Sequence, residues 1–334
     1  MKRLTTLNTM AGLLTAIGLC LSLPTAQAQE KTVIKIGWTT SDGAQDPYAI
    51  GARAFKAAVE RDSKGTLEVQ LYPNRQLGDE RQMLEGMRFG TVDGGMITNA
   101  VIAQIEPAFS VNDLPFLYSS EEQAYKALDG ALGAELSKRL AAKGIVMLGY
   151  MEGGFRNMIN NKRPVSVPAD VHGVKYRVMQ NPVFIAMSNN MGGSAVPMAW
   201  GETFTAVQQG TIDGLEIPLA VIEANKYYEV TKFLSLTNHT YSMNGLTMSK
   251  RTLDKLKPEQ RAAVMSAAKS ATAEQRIAAG ADAKKTLSTL EKNGMKINAV
   301  SDVAAFRKSV APVYEKFSQA GNGQLLDIAF APVN

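Results

Sequence analysis

Hydrophobic positions along the chain alternate between the period of a strand and the period of a helix. A buried-strand pattern spans residues 33–38, and Asp46-Pro47 then has the form of an N-cap followed by proline at the first helical position. The apolar stripe that follows at helical spacing consists of Tyr48, Ala52, Phe55 and Val59. Residues 67–71 alternate apolar and polar side chains, which predicts a second strand. Because the two patterns keep alternating, we predict an α/β fold.

One apolar pattern occurs twice, 120 residues apart. Residues 89–95 (FGTVDGG) recur as residues 209–215 (QGTIDGL). Each copy follows a helical pattern, and Gly90 or Gly210 supplies a residue able to end that helix in the left-handed conformation. The repetition indicates two similarly built α/β lobes, and chance similarity between two helix-to-strand turns is the alternative. A cleft between two lobes is a usual place for a small-molecule site.

A long helical pattern begins at Pro258 and continues to Asn293, with no further proline and the single glycine Gly280. Some thirty helical residues, at about 1.5 Å each, would span roughly 50 Å. We expect a helix that runs along both lobes and braces them, with Gly280 as the place for a bend.

The first 28 residues have the pattern of a secretory signal peptide. A basic start, Lys2-Arg3, precedes an apolar run at residues 11–23 and the small-residue site Ala26-Gln27-Ala28. Cleavage after Ala28 would leave 306 of the 334 residues and place the mature protein in the periplasm. The alternative is a lipoprotein anchored at Cys20. Leu19 precedes that cysteine where a small residue is expected, which disfavours the anchor.

Charge and cysteine content exclude several classes of protein. The net charge is +5, and loss of Lys2 and Arg3 would leave +3, spread along the chain. Without a basic run interleaved with aromatic residues, we expect no nucleic-acid partner. Cys20 is the only cysteine, so the mature chain can form no disulfide, which suits an exported protein stabilised by its core.

The sequence has no motif that indicates a metal site, a cofactor or a catalytic centre. His172 and His239, the only histidines, are far apart and have no HExxH pattern beside them. Gly192-Gly193-Ser194 is not a nucleophile elbow, and no glycine-rich phosphate loop with lysine occurs. We therefore expect no metal, no cofactor and no enzymatic activity.

Arg177 is the leading candidate for chemistry. It stands on a short alternating strand, where Val174, Tyr176 and Val178 face one way and Lys175 and Arg177 the other. A guanidinium is a planar fork of donors that matches a carboxylate bidentately, so an arginine fixed on a strand at a cleft would select organic acids. A solvated surface arginine or a member of a local ion pair is the alternative.

Residues 173–218 and several runs outside them resemble a known family. The positions that carry the resemblance inside this segment are Gly173, Arg177, Gln180-Asn181-Pro182, Pro197-Met198, Trp200-Gly201-Glu202, Gly210, Asp213-Gly214, Glu216 and Pro218. Those outside it are Gln76-Leu77-Gly78, Asp113-Leu114-Pro115-Phe116, Gly154-Phe155-Arg156 and Leu236-Thr237-Asn238-His239. Together they resemble the solute-binding proteins of TRAP transporters, DctP type, over nearly all of the mature chain.

The resemblance implies a two-lobe periplasmic binding protein fold, type II-like, with hinge strands and ligand held between the lobes. It implies residues 29–152 with about 240–275 as lobe I, and 153–239 with about 276–334 as lobe II. The expected function is capture of a small organic acid, a sugar acid or a hydroxy or keto acid, and its delivery to a membrane permease. We expect a monomer.

Ligand contacts follow from the resemblance by position. It implies that Arg177 pairs with the ligand carboxylate, with Arg156 nearby and Trp200 as an aromatic wall. The remaining implied contacts are Glu216, Ile217, Gln180, Thr39 and Asn99. Relatives commonly have asparagine where Ile217 stands, and sialic acid binders have glutamate where Thr98 stands. These two departures disfavour sialic acid and simple C4-dicarboxylates.

The sequence disfavours two other classes of function. An exported α/β enzyme acting on small carboxylic acids would need a Ser, Cys or Asp nucleophile with a histidine nearby, and the sequence has no such arrangement. An adhesion or structural protein would show repeats or low-complexity segments, and neither occurs. A binding protein is therefore the favoured hypothesis.

Overall fold

The computed structural model describes residues 31–280 and 283–330. The predicted signal peptide and the bond after Ala28 lie outside these residues. Within the described part, no helix is both long and apolar enough to cross a membrane.

The strand and helix patterns of the sequence form the expected elements. The strands are β1 (Thr32–Gly37), β2 (Leu67–Tyr72), β3 (Gly94–Thr98), β4 (Ile145–Asn160), β5 (Lys175–Val178), β6 (Ser194–Pro197), β7 (Gly214–Pro218), β8 (Phe233–Ser249) and β9 (Lys296–Ala299). The helices are α1 (Pro47–Asp62), α2 (Glu80–Phe89), α3 (Asn99–Ile102), α4 (Glu121–Asp129), α5 (Ala131–Ala142), α6 (Pro182–Asn190), α7 (Trp200–Gln208), α8 (Leu219–Ala224), α9 (Lys250–Lys255), α10 (Pro258–Gly280), α11 (Ala283–Lys292), α12 (Val303–Ser309), α13 (Ala311–Phe317) and α14 (Gly323–Phe330). The predicted start of the first helix is confirmed, because Asp46 caps α1 by accepting from the backbone of Tyr48 and Ala49, and Pro47 is its first residue.

One sheet runs through the molecule, in the order β2-β1-β3-β8-β4-β7-β5-β6, with β9 paired to β8. Its two ends have the same plan. The parallel strands β2-β1-β3 end on antiparallel β8, and the parallel strands β6-β5-β7 end on antiparallel β4. The α/β prediction is confirmed, and the long strands β4 and β8, paired to each other, join the two halves.

The joining strands are irregular where they pass from one half to the other. Their register shifts between Met147 and Gly149, between Glu152 and Gly154, and between Arg156 and Met158. Gly154 has φ 93°, a left-handed conformation that suits a glycine at a bulge. Bulges bend and twist a strand, so these shifts let β4 and β8 bend where they continue from one half into the other.

The repeated segment has the same local structure in both halves. Gly90 ends α2 with φ 79°, and Gly210 has φ 73° just after α7. Asp93 accepts a hydrogen bond from the Lys35 backbone nitrogen at 2.9 Å, and Asp213 accepts one from the Lys175 backbone nitrogen at the same distance. Each aspartate therefore ties the start of its own strand to the first strand of its half.

The long helical pattern appears as α10 and α11, with residues 281 and 282 between them outside the described part. Helix α10 packs on α1 and β4, whereas α11 contacts α8. The helical region therefore contacts elements of both halves, as expected of a brace.

Buried side chains form two clusters, and each draws on both halves. One contains Leu132, Tyr176 and Phe306, and the other contains Phe55 and Ile217. Each apolar cluster therefore contains side chains from both halves of the molecule.

Candidate functional site

A small polar cavity lies where the carboxyl ends of the parallel strands converge. Thr39 and Thr40 follow β1, Thr98 ends β3, Met179 follows β5 and Pro218 ends β7, and all five line this cavity. Loops at this edge of a parallel sheet are where α/β proteins place ligands. The cavity has a volume of about 30 Å³. We refer to it as the cleft cavity.

Arg177 enters the cleft cavity from β5 and is only 2% exposed. Its Nε donates to the Met198 carbonyl oxygen at 3.0 Å. Among the described residues, its two terminal nitrogens have no hydrogen-bond acceptor and no carboxylate at ion-pair distance. Burial, and then the neighbouring positive charge of Arg156, lower the pKa of Arg177. A buried guanidinium with two unpartnered donor nitrogens is costly to leave unpaired, so this group favours an incoming anion.

Arg156, on β4, also lines the cleft cavity, but its guanidinium is occupied by Glu216 of β7. Its Nε donates to Glu216 Oε2, and Nη2 donates to Glu216 Oε1 at 3.0 Å and to the Glu216 carbonyl at 2.5 Å. His239 Nε2 lies 3.3 Å from Glu216 Oε2. Burial alone would raise the pKa of Glu216, but the charge of Arg156 and the hydrogen bonds from His239 and Arg156 outweigh it and lower that pKa. Arg156 therefore places a positive charge beside the cleft cavity, but its guanidinium is already hydrogen-bonded to Glu216. The terminal nitrogens of Arg177, by contrast, are available to a ligand.

Glu80 faces the same space from the first residue of α2. Its Oε1 accepts from the backbone nitrogen and from the hydroxyl of Thr98, both at 2.8 Å. Oε2 accepts no hydrogen bond from the described residues. Burial raises the pKa of Glu80, although the bonds from Thr98 oppose the rise. The hydroxyl of Tyr48, also in the lining, lies 2.6 Å from Thr98 Oγ1. Part of the cavity lining thus consists of oxygen atoms of Glu80, Thr98 and Tyr48 that hydrogen bonds hold in place.

Another part of the lining is apolar. Ile217, 2% exposed, and the half-buried Trp200 both line the cleft cavity. The Trp200 ring packs on Tyr227, with centroids 5.4 Å apart. Trp200 is the first residue of α7, and Glu80, 120 positions earlier, is the first residue of α2. The two halves therefore present the same helix end to the cavity, with a carboxylate on one side and an indole on the other.

The structure brings together five of the eight predicted contacts: Arg177, Arg156, Trp200, Ile217 and Thr39 line the cleft cavity. Glu216 lies behind Arg156, as described above.

Asn99 and Gln180 lie elsewhere. The Asn99 amide is used internally, donating to the Phe109 carbonyl at 2.9 Å and accepting from Asn112 at 3.1 Å. Gln180 is exposed, and its backbone carbonyl oxygen accepts a hydrogen bond from Gln104 Nε2 at 3.0 Å.

Glu80 and Tyr48 are two polar lining residues that the sequence does not predict as ligand contacts. Glu80 follows Asp79 at a helix start, where an acidic residue is already favoured by the helix dipole. Tyr48 belongs to the apolar stripe of α1. Neither residue stands out locally, because only the convergence of β1 and β3 brings both to Thr98.

A larger cavity, about 510 Å³, lies beside β4 and β8 and includes Glu121, Glu152, Phe155 and Arg307 in its lining. The acidic side chains Glu121 and Glu152 in this lining offer no attraction for an organic acid. It lacks a buried cation with free donors like Arg177, because Arg307 donates to the Phe116 carbonyl and stacks on the Phe116 ring. The cleft cavity is therefore the candidate site. Nowhere in residues 31–280 and 283–330 do three or more His, Cys, Asp or Glu side chains form a group suited to a metal ion.

Comparison with known proteins agrees with this arrangement. Residues 39–320 match the DctP family, described as bacterial extracellular solute-binding protein, family 7. The 2,3-diketo-L-gulonate-binding periplasmic protein YiaO of Escherichia coli is 34% identical over 273 residues, covering 82% of this chain and 83% of that protein.

Two solved structures have closely similar folds. A TRAP periplasmic solute-binding protein from Polaromonas sp. JS666, bound to D-erythronate, is 37% identical with a TM-score of 0.86, covering 91% of this chain and 100% of its own. One from Sulfitobacter sp. NAS-14.1, bound to β-D-galacturonate, is 34% identical with a TM-score of 0.85, covering 89% and 99%. These relatives are two-lobe binding proteins, so the enzyme alternative has no support. The chain belongs to family 7 of the bacterial extracellular solute-binding proteins, the DctP family of TRAP transporter components.

Proposed function

We propose that this protein captures a sugar acid in the cleft cavity and holds its carboxylate with Arg177. The observation that carries the proposal is the buried guanidinium of Arg177, whose two terminal nitrogens have no partner among the described residues. Two parallel charge-assisted hydrogen bonds to one carboxylate would use both donors. The nearby charge of Arg156, which lowers the pKa of Arg177, further favours an anion there.

The remaining walls favour a hydroxylated acid over a dicarboxylate. Glu80 offers Oε2 as an acceptor for a ligand hydroxyl, and Thr39 and Thr40 offer hydroxyl groups beside it. A second ligand carboxylate directed at Glu80 would meet like charge. Ile217 and the ring of Trp200 suit the C–H face of a sugar carbon chain, because both give the cavity wall apolar surface. Erythronate and galacturonate, the ligands of the two solved relatives, both combine one carboxylate with several hydroxyls.

The two halves would have to move apart to admit such a ligand. A volume of about 30 Å³ is roughly the share of one water molecule in the liquid, whereas small-molecule pockets usually measure about 300–1,000 Å³. Hinge motion at the irregular segments of β4 and β8 would open the cleft, and contacts to ligand from both halves would close it. We propose that the closed protein, a monomer in the periplasm starting at Gln29, delivers its ligand to the membrane permease of a TRAP transporter.

A thermal-shift screen of the mature protein tests the substrate class. The panel contains aldonates, uronates and keto sugar acids, with succinate and the matching uncharged sugars as controls. A ligand at about 100 times its Kd stabilises the folded state by roughly 2.7 kcal/mol, enough to raise the melting temperature measurably. We expect stabilisation by one or more sugar acids and none by the uncharged sugars. Stabilisation by succinate alone, or by no acid, would refute the proposal.

Glu80→Gln tests whether the negative charge of Glu80 acts on the ligand, separately from its hydrogen bonds to Thr98. The amide keeps an oxygen for the two bonds from Thr98 but removes the negative charge. We expect weaker binding of the sugar acid and a relative gain for dicarboxylates. An unchanged ranking of the panel would mean that Glu80 does not face the ligand.

A further inference from the structure

The two halves are joined by hydrogen bonds near the cleft cavity, through a side chain that has no part in its lining. Asn225 follows α8 of the second half and reaches the loop between β1 and α1 of the first half. Its Oδ1 accepts from the Ser41 backbone nitrogen at 3.0 Å, and its Nδ2 donates to Asp46 Oδ2 at 3.2 Å. Ser41 Oγ also donates to the Ala224 carbonyl at 3.0 Å. One amide thus satisfies a donor and an acceptor that lie 184 and 179 residues away in sequence.

Asp46 gives this contact a rigid base. The residue is fully buried, and its Oδ1 accepts from the Thr40 hydroxyl at 2.9 Å and from the backbone of Tyr48 at 3.0 Å. Those bonds cap α1 and leave Oδ2 for Asn225. Because both carboxylate oxygens are used, the loop cannot rotate Asp46 away from Asn225 without also losing the cap of α1.

Both partners of this contact are continuous with the cleft cavity. Thr39 and Thr40 of the loop line the cavity, and so do Pro218 and Val221 at the other end of α8. Ligand that touches both walls would hold the loop and α8 in the positions where Asn225 can bridge them.

We propose that Asn225 is a clasp that holds the two halves together over bound ligand and slows ligand release. The inference rests on the proposed function. A clasp forms after ligand has entered, so it acts on the dissociation rate and leaves the association rate nearly unchanged. Asparagine suits the task because its amide offers a donor and an acceptor on one short, planar group.

Stopped-flow kinetics of Asn225→Ala with the sugar acid identified by the screen tests the clasp. We expect dissociation to become about 30- to 2,000-fold faster, the range for loss of one neutral hydrogen bond and one hydrogen bond to a carboxylate, with association within about threefold of wild type. The matched control is Asn190→Ala, since Asn190 is exposed and bonds only within its own helix, to the Ala186 carbonyl. The control should leave both rates unchanged. A dissociation rate within twofold of wild type for Asn225→Ala would overturn the proposal.

A second measurement separates failure of the clasp from failure of the proposed function. Hydrogen exchange of the Ser41 amide reports its bond to Asn225 directly and requires no known ligand. We expect faster exchange in Asn225→Ala than in wild type and in Asn190→Ala. If no acid binds yet exchange at Ser41 is faster, the substrate proposal fails and the contact between the halves stands. If the acid binds and neither exchange nor dissociation changes, the clasp is refuted.

Discussion

Replacing Arg177 by methionine should weaken ligand binding by at least about 30-fold without destabilising the free protein. Methionine keeps an unbranched side chain of similar length but has no donors. Wild-type Arg177 is 2% exposed and donates from Nε to the Met198 carbonyl. It has no ion-pair partner among the described residues. Loss of one partner of a buried charged pair typically costs about 2–5 kcal/mol of binding, which corresponds to roughly 30- to several-thousand-fold in Kd.

The same structure predicts the sign of the stability change. Burial and the charge of Arg156 already lower the pKa of Arg177, so the charged guanidinium is held in an unfavourable place. Replacing an uncompensated buried charge by an apolar side chain of similar size is often neutral or stabilising. We therefore expect Arg177→Met to melt, without ligand, at or above the temperature of wild type. Such a trade between stability and binding is expected of a functional residue and not of a structural one.

Calorimetric titration measures the predicted loss of affinity, and ligand-free melting curves measure the predicted change in stability. Arg177→Lys keeps the charge but loses the planar fork, so its affinity should lie between those of wild type and Arg177→Met. Arg139→Ala is the control, because Arg139 is partly exposed on α5 and pairs with Glu135 of the same helix. Binding by Arg177→Met within threefold of wild type would refute the carboxylate role. A clearly lower ligand-free melting temperature would show that Arg177 serves the fold instead.

Three further substitutions test other parts of the site and the hinge. Glu216→Ala should lower the free energy of unfolding in urea by about 3–5 kcal/mol, because it leaves Arg156 buried without its carboxylate; a loss below about 1 kcal/mol would contradict the ion pair's structural role. Ile217→Asn should alter the ranking of acids in the thermal-shift panel more than it alters stability, since it adds an amide to the cavity wall; an unchanged ranking would mean that residue 217 does not contact ligand. Burial raises the pKa of Glu152 from 4.5 to about 7, so its contribution to stability is fully present below pH 4.5 and is lost as the pH rises through about 7. Glu152→Gln should therefore gain stability relative to wild type between pH 5 and pH 8, and an equal difference at both pH values would count against this.

The repeated plan of the two halves explains how one framework supplies both polar and apolar walls. Helices α2 and α7 begin 120 residues apart and point their first residues, Glu80 and Trp200, at the same cavity. The flanking strands and the aspartates that tie them correspond as well. Under the proposed function, substrate choice would change with single substitutions at these two helix ends, while the strands that place them stay the same.

Local patterns in the sequence determined most of the helices and strands, and they identified Arg177 as a candidate site residue. The Asp46-Pro47 start of α1, the turns at Gly90 and Gly210 and the short strand of Arg177 all follow from interactions between near neighbours in the chain. Periods of 2 and 3.6 residues, caps and left-handed glycines are properties of such short segments, so a single sequence reveals them. The candidate role of Arg177 followed from the family resemblance of the residues around it and required no tertiary information.

Only the tertiary structure decided which polar groups are free and which are used. Arg156 and Arg177 look alike in sequence, but pairing of β4 with β7 brings Glu216, 60 residues away, onto Arg156 and leaves Arg177 with open donors. Asn99 and Asn225 are both ordinary asparagines near helix ends, and the fold uses one inside the first half and the other between the halves. The physical reason is that a hydrogen bond forms only where donor and acceptor meet in space. Those meetings depend on the register of β4 and β8 across the whole molecule, which no local pattern contains.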